Sequence, residues 1–236
     1  MFSKHPPRAS DVLADLNNEG ISLLRQNKPS AALRRFTEGL SCIRQLMMDQ
    51  FDGTVRPEKP IGILKGTRSP LKGVPLPQQA STVDSRSCSE ESFIFYQRAF
   101  TIESYLNTSV CSTAFTAVLL YNSGLAHHPL ALQEDSSDEL KSALRFYKMA
   151  LKVIRSSMPR TMKEDFYVVI LALLNNMGHV WCHFCEAIEA QSCRQQLDNL
   201  LEIFLPGIMS DDDADFFYFE KMYRQQGYIY CAAPAA

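Results

Sequence analysis

His179, Cys182 and His183 come nearest, by type and spacing, to residues that could do chemistry. They stand in the stretch HVWCHFC at offsets of three and four. A helix brings such residues to one face and turns Cys185 away. Two imidazoles and a thiol on one face form part of a zinc shell, for which His127 or His128 could supply the fourth ligand. A Cys/His hydrolase is the other reading, but side chains at these offsets on one helix seldom make an attacking pair, and no oxyanion-binding turn is visible. The plainer account is helix packing, with cysteine as a small apolar filler. No phosphate-cradling Gly loop, dinucleotide fingerprint or Gly-x-Ser-x-Gly elbow occurs in the 236 residues. The expectation is a protein that is not an enzyme and holds no cofactor. A metal-binding protein or metal-dependent enzyme centred on His179, Cys182 and His183 is the competing reading.

A second pattern repeats. Asn-x-Gly occurs in NNEG (Asn17 to Gly20), YNSG (Tyr121 to Gly124) and NNMG (Asn175 to Gly178), each time inside an apolar, helix-like run. Glycine inside a helix costs about 1 kcal/mol, a cost that makes sense where a side chain would hold two helices apart. The residues downstream of each glycine fit that use. Ala32, Phe36 and Gly39 come after Gly20, and Ala143, Tyr147 and Ala150 come after Gly124 with seven further residues inserted, placed around Pro129 to Ser137. After Gly178 the nearest series is Cys193, Leu197 and Leu200, three residues late.

The elements that must carry these residues are helices over much of the chain. The first helix is expected from a cap at Ser10 or Asp11 to about Asn27, and the second from Ser30 to about Gln50, led by Pro29. Further helices are expected over roughly 110–132, 137–157, 162–189, 191–205 and 213–226, with a break near Ala190. Asp211, Asp212 and Asp213 suit the start of the last helix. The aromatics Phe216 to Phe219 point around its axis, as a capping helix or as a patch for self-association. Residues 51–108 form a Pro/Gly-rich insertion, in which the stretch near 92–102 reads as extended and Ile61 to Leu64 as its hairpin partner. The domain reading is therefore a flexible 1–9, a first hairpin at 10–50, the insertion at 51–108, further hairpins and a capping helix at 109–230, and a flexible 231–236.

This Gly, Ala, aromatic, Ala arrangement resembles the tetratricopeptide repeat family, most clearly at 13–46, next at 117–157 and least at 171–204. Glu19, Ser123 and Met177 stand where the family has Leu, and Gly39 stands where it has Ala. The resemblance implies an all-α array of about three antiparallel helix hairpins whose first helices line a groove. In that groove Asn18, Asn122 and Asn176 would bond the backbone of an extended peptide. Asn17, Ile21, Arg25, Tyr121, Leu125, His128, Asn175, His179, Cys182 and His183 are the neighbours expected to face the same way. The alternative is that each Asn bonds a neighbouring helix and orders the stack. Arg25 is the one cation at these groove positions, which disfavours the subtype that grips a terminal carboxylate.

Composition has an ordinary globular balance. Apolar residues make up 46% and charged residues 21%, with a net charge of -2. No apolar run approaches the roughly 20 residues that cross a bilayer. No secretory signal is visible, and seven cysteines, an odd number, do not suggest a disulfide framework. The expected partner is a protein or peptide, in the cytoplasm or nucleus, with no membrane. Nucleic acid is not the expected ligand, although residues 55–75 carry five cations against one acid and make RNA a further alternative.

Overall fold

Apolar side chains at helical spacing decide most of the architecture. In α1 (Ala9–Arg25) the buried residues are Leu13, Asn17, Gly20, Ile21 and Leu24, a single stripe. In α2 (Pro29–Phe51) they are Ala32, Phe36, Gly39 and Ile43. Pro29 opens α2, where its missing N–H costs nothing. The start of α1 differs from expectation. Arg8 takes the capping position without a side-chain bond, and neither Ser10 nor Asp11 caps. The computed structural model describes residues 8–51, 71–77, 93–102, 108–158, 164–203 and 209–231.

Seven helices and a two-stranded sheet are found among the described residues. After α2 come β1 (Leu71–Pro75), β2 (Arg98–Ile102), α3 (Thr108–Glu134), α4 (Ser137–Ser157), a single 3-10 turn (Glu164–Phe166), α5 (Tyr167–His183), α6 (Ala187–Ile203) and α7 (Asp211–Cys231). Adjacent helices pair as α1 with α2, α3 with α4 and α5 with α6. The chain divides into two compact units. One joins the residues up to Pro77 with Arg98–Asp165; the other joins Gln78–Gln97 with Phe166 onward.

All three hairpins turn in the same way. Asn27, Asp135 and Cys185 adopt positive φ of 56°, 50° and 56°. The residue after each donates its backbone N–H back to a carbonyl five positions earlier: Lys28 to Leu23, Ser136 to Ala131 and Glu186 to Trp181. This is the Schellman closure of a helix end. Ser136 then caps α4, accepting from the Glu139 N–H at 3.4 Å.

The turn positions correct two expectations. The helix foreseen over 162–189 ends at His183, and the break lies at Phe184 to Glu186, whereas Ala190 is buried inside α6. With the turn at Cys185, Ala190 stands twelve residues after Gly178, as Ala32 does after Gly20. The third repeat is therefore Ala190, Arg194 and Leu197, not Cys193, Leu197 and Leu200. The seven extra residues of the second hairpin are likewise placed. Asp135 lies eleven residues after Gly124, against seven from Gly20 to Asn27, and Ala143 lies eight after Asp135, against five from Asn27 to Ala32. Each helix of that hairpin has gained about one turn.

In the first two hairpins the glycines are filled from the second helix. A Cβ at Gly20 would lie 2.2 Å from Phe36 Cε1, and one at Gly124 would lie 2.5 Å from Tyr147 Cε1. In the third hairpin Arg194 occupies the aromatic position, and the ring against Gly178 is that of Phe93, 2.3 Å from a Cβ built there. The Arg194 guanidinium carbon lies 6.0 Å from the Phe93 ring centroid, within cation–π range. An aromatic thus fills the gap in every hairpin, but in the third it comes from the extended segment.

That segment is extended, as expected, and Ile61 to Leu64, the expected hairpin partner, lie outside the described residues. β2 pairs antiparallel with β1, with Leu71 opposite Ile102, Gly73 opposite Phe100 and Pro75 opposite Arg98. The basic stretch at 56–68 also lies outside the described residues, as do 1–7 and 232–236.

Candidate functional site

In one unit β2 lies against α1 and α3, with Ala99, Phe100 and Ile102 buried, and in the other Phe93, Phe95 and Tyr96 are buried. In an antiparallel ladder alternate residues turn their N–H and C=O away from the partner strand. Phe100, opposite Gly73, is such a residue. Its backbone is met by the side chain of Asn122, which accepts from the Phe100 N–H at 3.0 Å and donates to the Phe100 carbonyl at 2.9 Å. Asn17 Nδ2 donates to the same carbonyl at 2.9 Å, and Asn122 Nδ2 donates to Asn17 Oδ1 at 2.8 Å. The amides take the place of a third strand. Asparagine suits this because its amide carries both a donor and an acceptor, with no charge to desolvate.

The other unit repeats the device on the preceding stretch of the segment. Asn176 accepts from the Tyr96 N–H at 2.9 Å and donates to the Tyr96 carbonyl at 3.2 Å. The residue before each bracketing Asn meets the carbonyl two positions earlier along the segment. Tyr121 Oη donates to the Arg98 carbonyl at 3.0 Å, and Asn175 Nδ2 donates to the Ile94 carbonyl at 2.7 Å. In each unit the residues so met are two apart, 98 and 100 in one and 94 and 96 in the other, the period that an extended chain imposes. Tyr96 is fixed further: its hydroxyl donates to Asp213 Oδ1 at 2.6 Å, and its ring lies against Phe216 and Phe217. Asp213 also accepts from Ser210 Oγ, whose oxygen receives the Asp213 N–H at the start of α7. The acid that closes this helix end is thus Asp213, acting with Ser210, while Asp211 and Asp212 are exposed.

The candidates fall into three groups. Asn122, Asn176, Tyr121, Leu125 and His128 are buried, with the first three on the segment's backbone. His128 Nδ1 lies 3.3 Å from the Tyr147 hydroxyl. Asn18 and Arg25 are exposed, and the furrow contact of the first hairpin is made by Asn17, one residue earlier. His179 is half-buried, 5.7 Å from Phe95 and 4.8 Å from the His183 ring, while His183 is exposed and Cys182 half-buried. Among the described residues no three His, Cys, Asp or Glu side chains gather so as to hold a metal ion. His127 lies against Glu139 and stacks on Phe146, so it is engaged within its own hairpin.

Sequence reasoning missed the occupant. It read 93–102 as extended and the Asn residues as bonding an extended backbone, without joining the two. Phe93, Tyr96 and Asp213 were likewise not foreseen as members of the site. The signal was present: an aromatic-rich strand with one short partner needs a second edge satisfied, and Asn recurs at one position of the first helices.

His179 titrates far from its ordinary range. Burial, followed by repulsion from His183, holds its pKa down at about 3. Above pH ~6.5 the ring is neutral folded and unfolded. As pH falls below that, the unfolded chain takes a proton that the folded ring refuses, so stability declines toward pH 3. Between pH 7 and 5 the loss from this one group should be about 1 to 2 kcal/mol. Urea titrations of the native chain and of His179→Gln test it, since the difference between them should shrink by that amount on acidification. A difference independent of pH would remove His179 as the cause.

Comparison with protein-family models, with curated proteins and with solved structures finds no match.

Proposed function

We propose that this chain is a non-catalytic, tetratricopeptide-like scaffold that binds another protein, with its inner furrow filled by its own segment. The observation that carries the reading is the double bracketing of an extended backbone, at Phe100 by Asn122 and at Tyr96 by Asn176. This is the chemistry by which a groove of first helices would hold a peptide, and here it is spent within the chain. A partner is therefore met on outer surfaces. Apolar candidates exist there: Tyr218, Phe219 and Met222 of α7 are 43%, 63% and 59% exposed, while Phe216 and Phe217 turn inward onto Tyr96. The last helix thus serves both readings of its aromatics, as a cap and as an outward patch open to self-association. No helix of the described residues is long and apolar enough to cross a membrane. Cytoplasm or nucleus remains the proposed setting.

Native affinity purification of the tagged whole chain, followed by mass spectrometry, tests this. At least one protein should be recovered in near-stoichiometric amount and should persist after nuclease treatment. Recovery of RNA alone, or of a bound metal ion with no protein, would overturn the scaffold reading.

A further inference from the structure

The turn of the third hairpin brings two thiols together near the surface. Cys182 and Cys185 are three residues apart in the stretch Cys182-His183-Phe184-Cys185. Helix α5 ends at His183, and the Cys185 N–H donates to the Cys182 carbonyl at 3.0 Å. A four-residue turn closed in this way keeps its first and last Cα within about 7 Å, and a disulfide spans about 4.4 to 6.8 Å between Cα atoms. Cys185 is exposed, Cys182 is half-buried, and both are thiols. Cys185 also stands where local chemistry does not call for it. Its φ is 56°, and the same position of the first two hairpins carries Asn27 and Asp135. Asn and Asp tolerate a positive φ better than other side chains do, and cysteine brings no such advantage. A residue held in that region against its preference points to a use of its side chain.

We propose that Cys182 and Cys185 form a reversible dithiol–disulfide site that exchanges with small disulfides of the glutathione class. The exposed Cys185 thiolate attacks one sulfur of the small disulfide, whose S–S bond breaks and releases one small thiolate. The Cys182 thiolate then attacks the Cys185 sulfur of the mixed disulfide and expels the second. The protein pair loses two hydrogens and two electrons, and the small disulfide gains them as two thiols. The reverse exchange restores the dithiol. Exposure makes Cys185 the entering thiol and leaves the half-buried Cys182 to resolve the intermediate. Cys193, on α6, is 4% exposed and competes poorly. A metal is the other use of such a pair, yet among the described residues no third His, Cys, Asp or Glu joins them in a group fit to hold one. A transient disulfide also suits the reducing setting proposed above, where lasting ones are rare.

The site needs no partner protein, so its test is separate from that of the scaffold. Trp181 is the one tryptophan of the chain and adjoins Cys182, so its fluorescence reports on the turn. The whole chain is equilibrated with mixtures of reduced and oxidised glutathione, quenched with acid and alkylated, and its cysteines are mapped by peptide mass spectrometry. Oxidation should remove the alkyl labels of Cys182 and Cys185 together, with the loss of two hydrogens, and Trp181 emission should change in step. Dithiothreitol should return both labels. In Cys182→Ser, Cys185 should carry glutathione instead, and half-modification should need about tenfold more oxidised glutathione or more. Cys185→Asn sets the residue type of the first hairpin at the turn, so it should fold as well as the native chain, by circular dichroism, while no disulfide closes. Should Cys182→Ser fail to fold, Cys185→Asn and the mapping of the native chain decide by themselves. Glutathione retained on Cys185 of the native chain, a disulfide from either residue to Cys193, or both labels still present at the highest oxidant ratio would overturn the proposal. None of these bears on the affinity purification, which judges the scaffold reading by itself.

Discussion

Asn122→Ala should lower the free energy of unfolding by about 3 to 5 kcal/mol. Three bonds end on this one side chain: from the Phe100 N–H, to the Phe100 carbonyl and to Asn17 Oδ1. A neutral hydrogen bond contributes about 1 kcal/mol net, and the larger part of the loss is the buried N–H left with no acceptor. Water cannot readily replace the amide, because Asn122 and Asn17 are fully buried and Phe100 is 1% exposed. Asn18→Ala, on an exposed side chain at the equivalent position of the first hairpin, should change stability by less than about 0.5 kcal/mol. Urea denaturation of both variants decides. A ligand-binding role would leave the folded chain intact when Asn122 is removed, so a loss under about 1 kcal/mol would show that the segment is not held as described.

The scale of this effect shows how the chain can hold an extended segment of its own on helix side chains. An extended segment normally needs strands on both edges, and β1 supplies one edge for only five residues. The Asn side chains supply the other edge from helices, one hairpin at a time. Because these bonds are made to the backbone, the side chains of Phe93, Phe95, Tyr96 and Phe100 can all be buried. The segment's backbone is therefore bound by the side chains of the helices of its own chain.

Much of the helical scaffold was legible in the sequence because helices report themselves locally. The period of apolar residues, the Pro at 29 and the Asn-x-Gly repeat each act over a few neighbours. The third hairpin was misread because its filler is not on its second helix: Arg194 stands where Phe36 and Tyr147 stand, so a search for an aromatic slid three residues onward to Leu197. The turn at Cys185 was missed because nothing in that residue's type announces a positive φ, unlike Asn27 or Asp135. The pairing of β2 with residues 71–75 and the seating of the segment on Asn17, Asn122 and Asn176 are long-range facts, separated by 22 to 83 positions in sequence. Local pattern could supply each half of those contacts but not their meeting.

The same reasoning makes the glycine positions sharp tests of register. Gly20→Ala, Gly124→Ala and Gly178→Ala should each destabilise by about 2 kcal/mol or more, although alanine is the better helix former by about 1 kcal/mol. The added methyl would meet a buried ring at 2.2, 2.5 and 2.3 Å respectively, closer than any relaxed contact. The rings differ in origin, and that separates the hairpins. Phe36→Leu should recover part of the loss in Gly20→Ala, with a coupling above about 1 kcal/mol in a double-mutant cycle. For Gly178→Ala the recovering change should be Phe93→Leu, on the extended segment. Leu197→Ala, on α6, should only add the cost of its own cavity, about 2 to 4 kcal/mol. If Leu197 relieved Gly178→Ala and Phe93 did not, the third hairpin would be closed from its own second helix. The segment would then have no part in that packing.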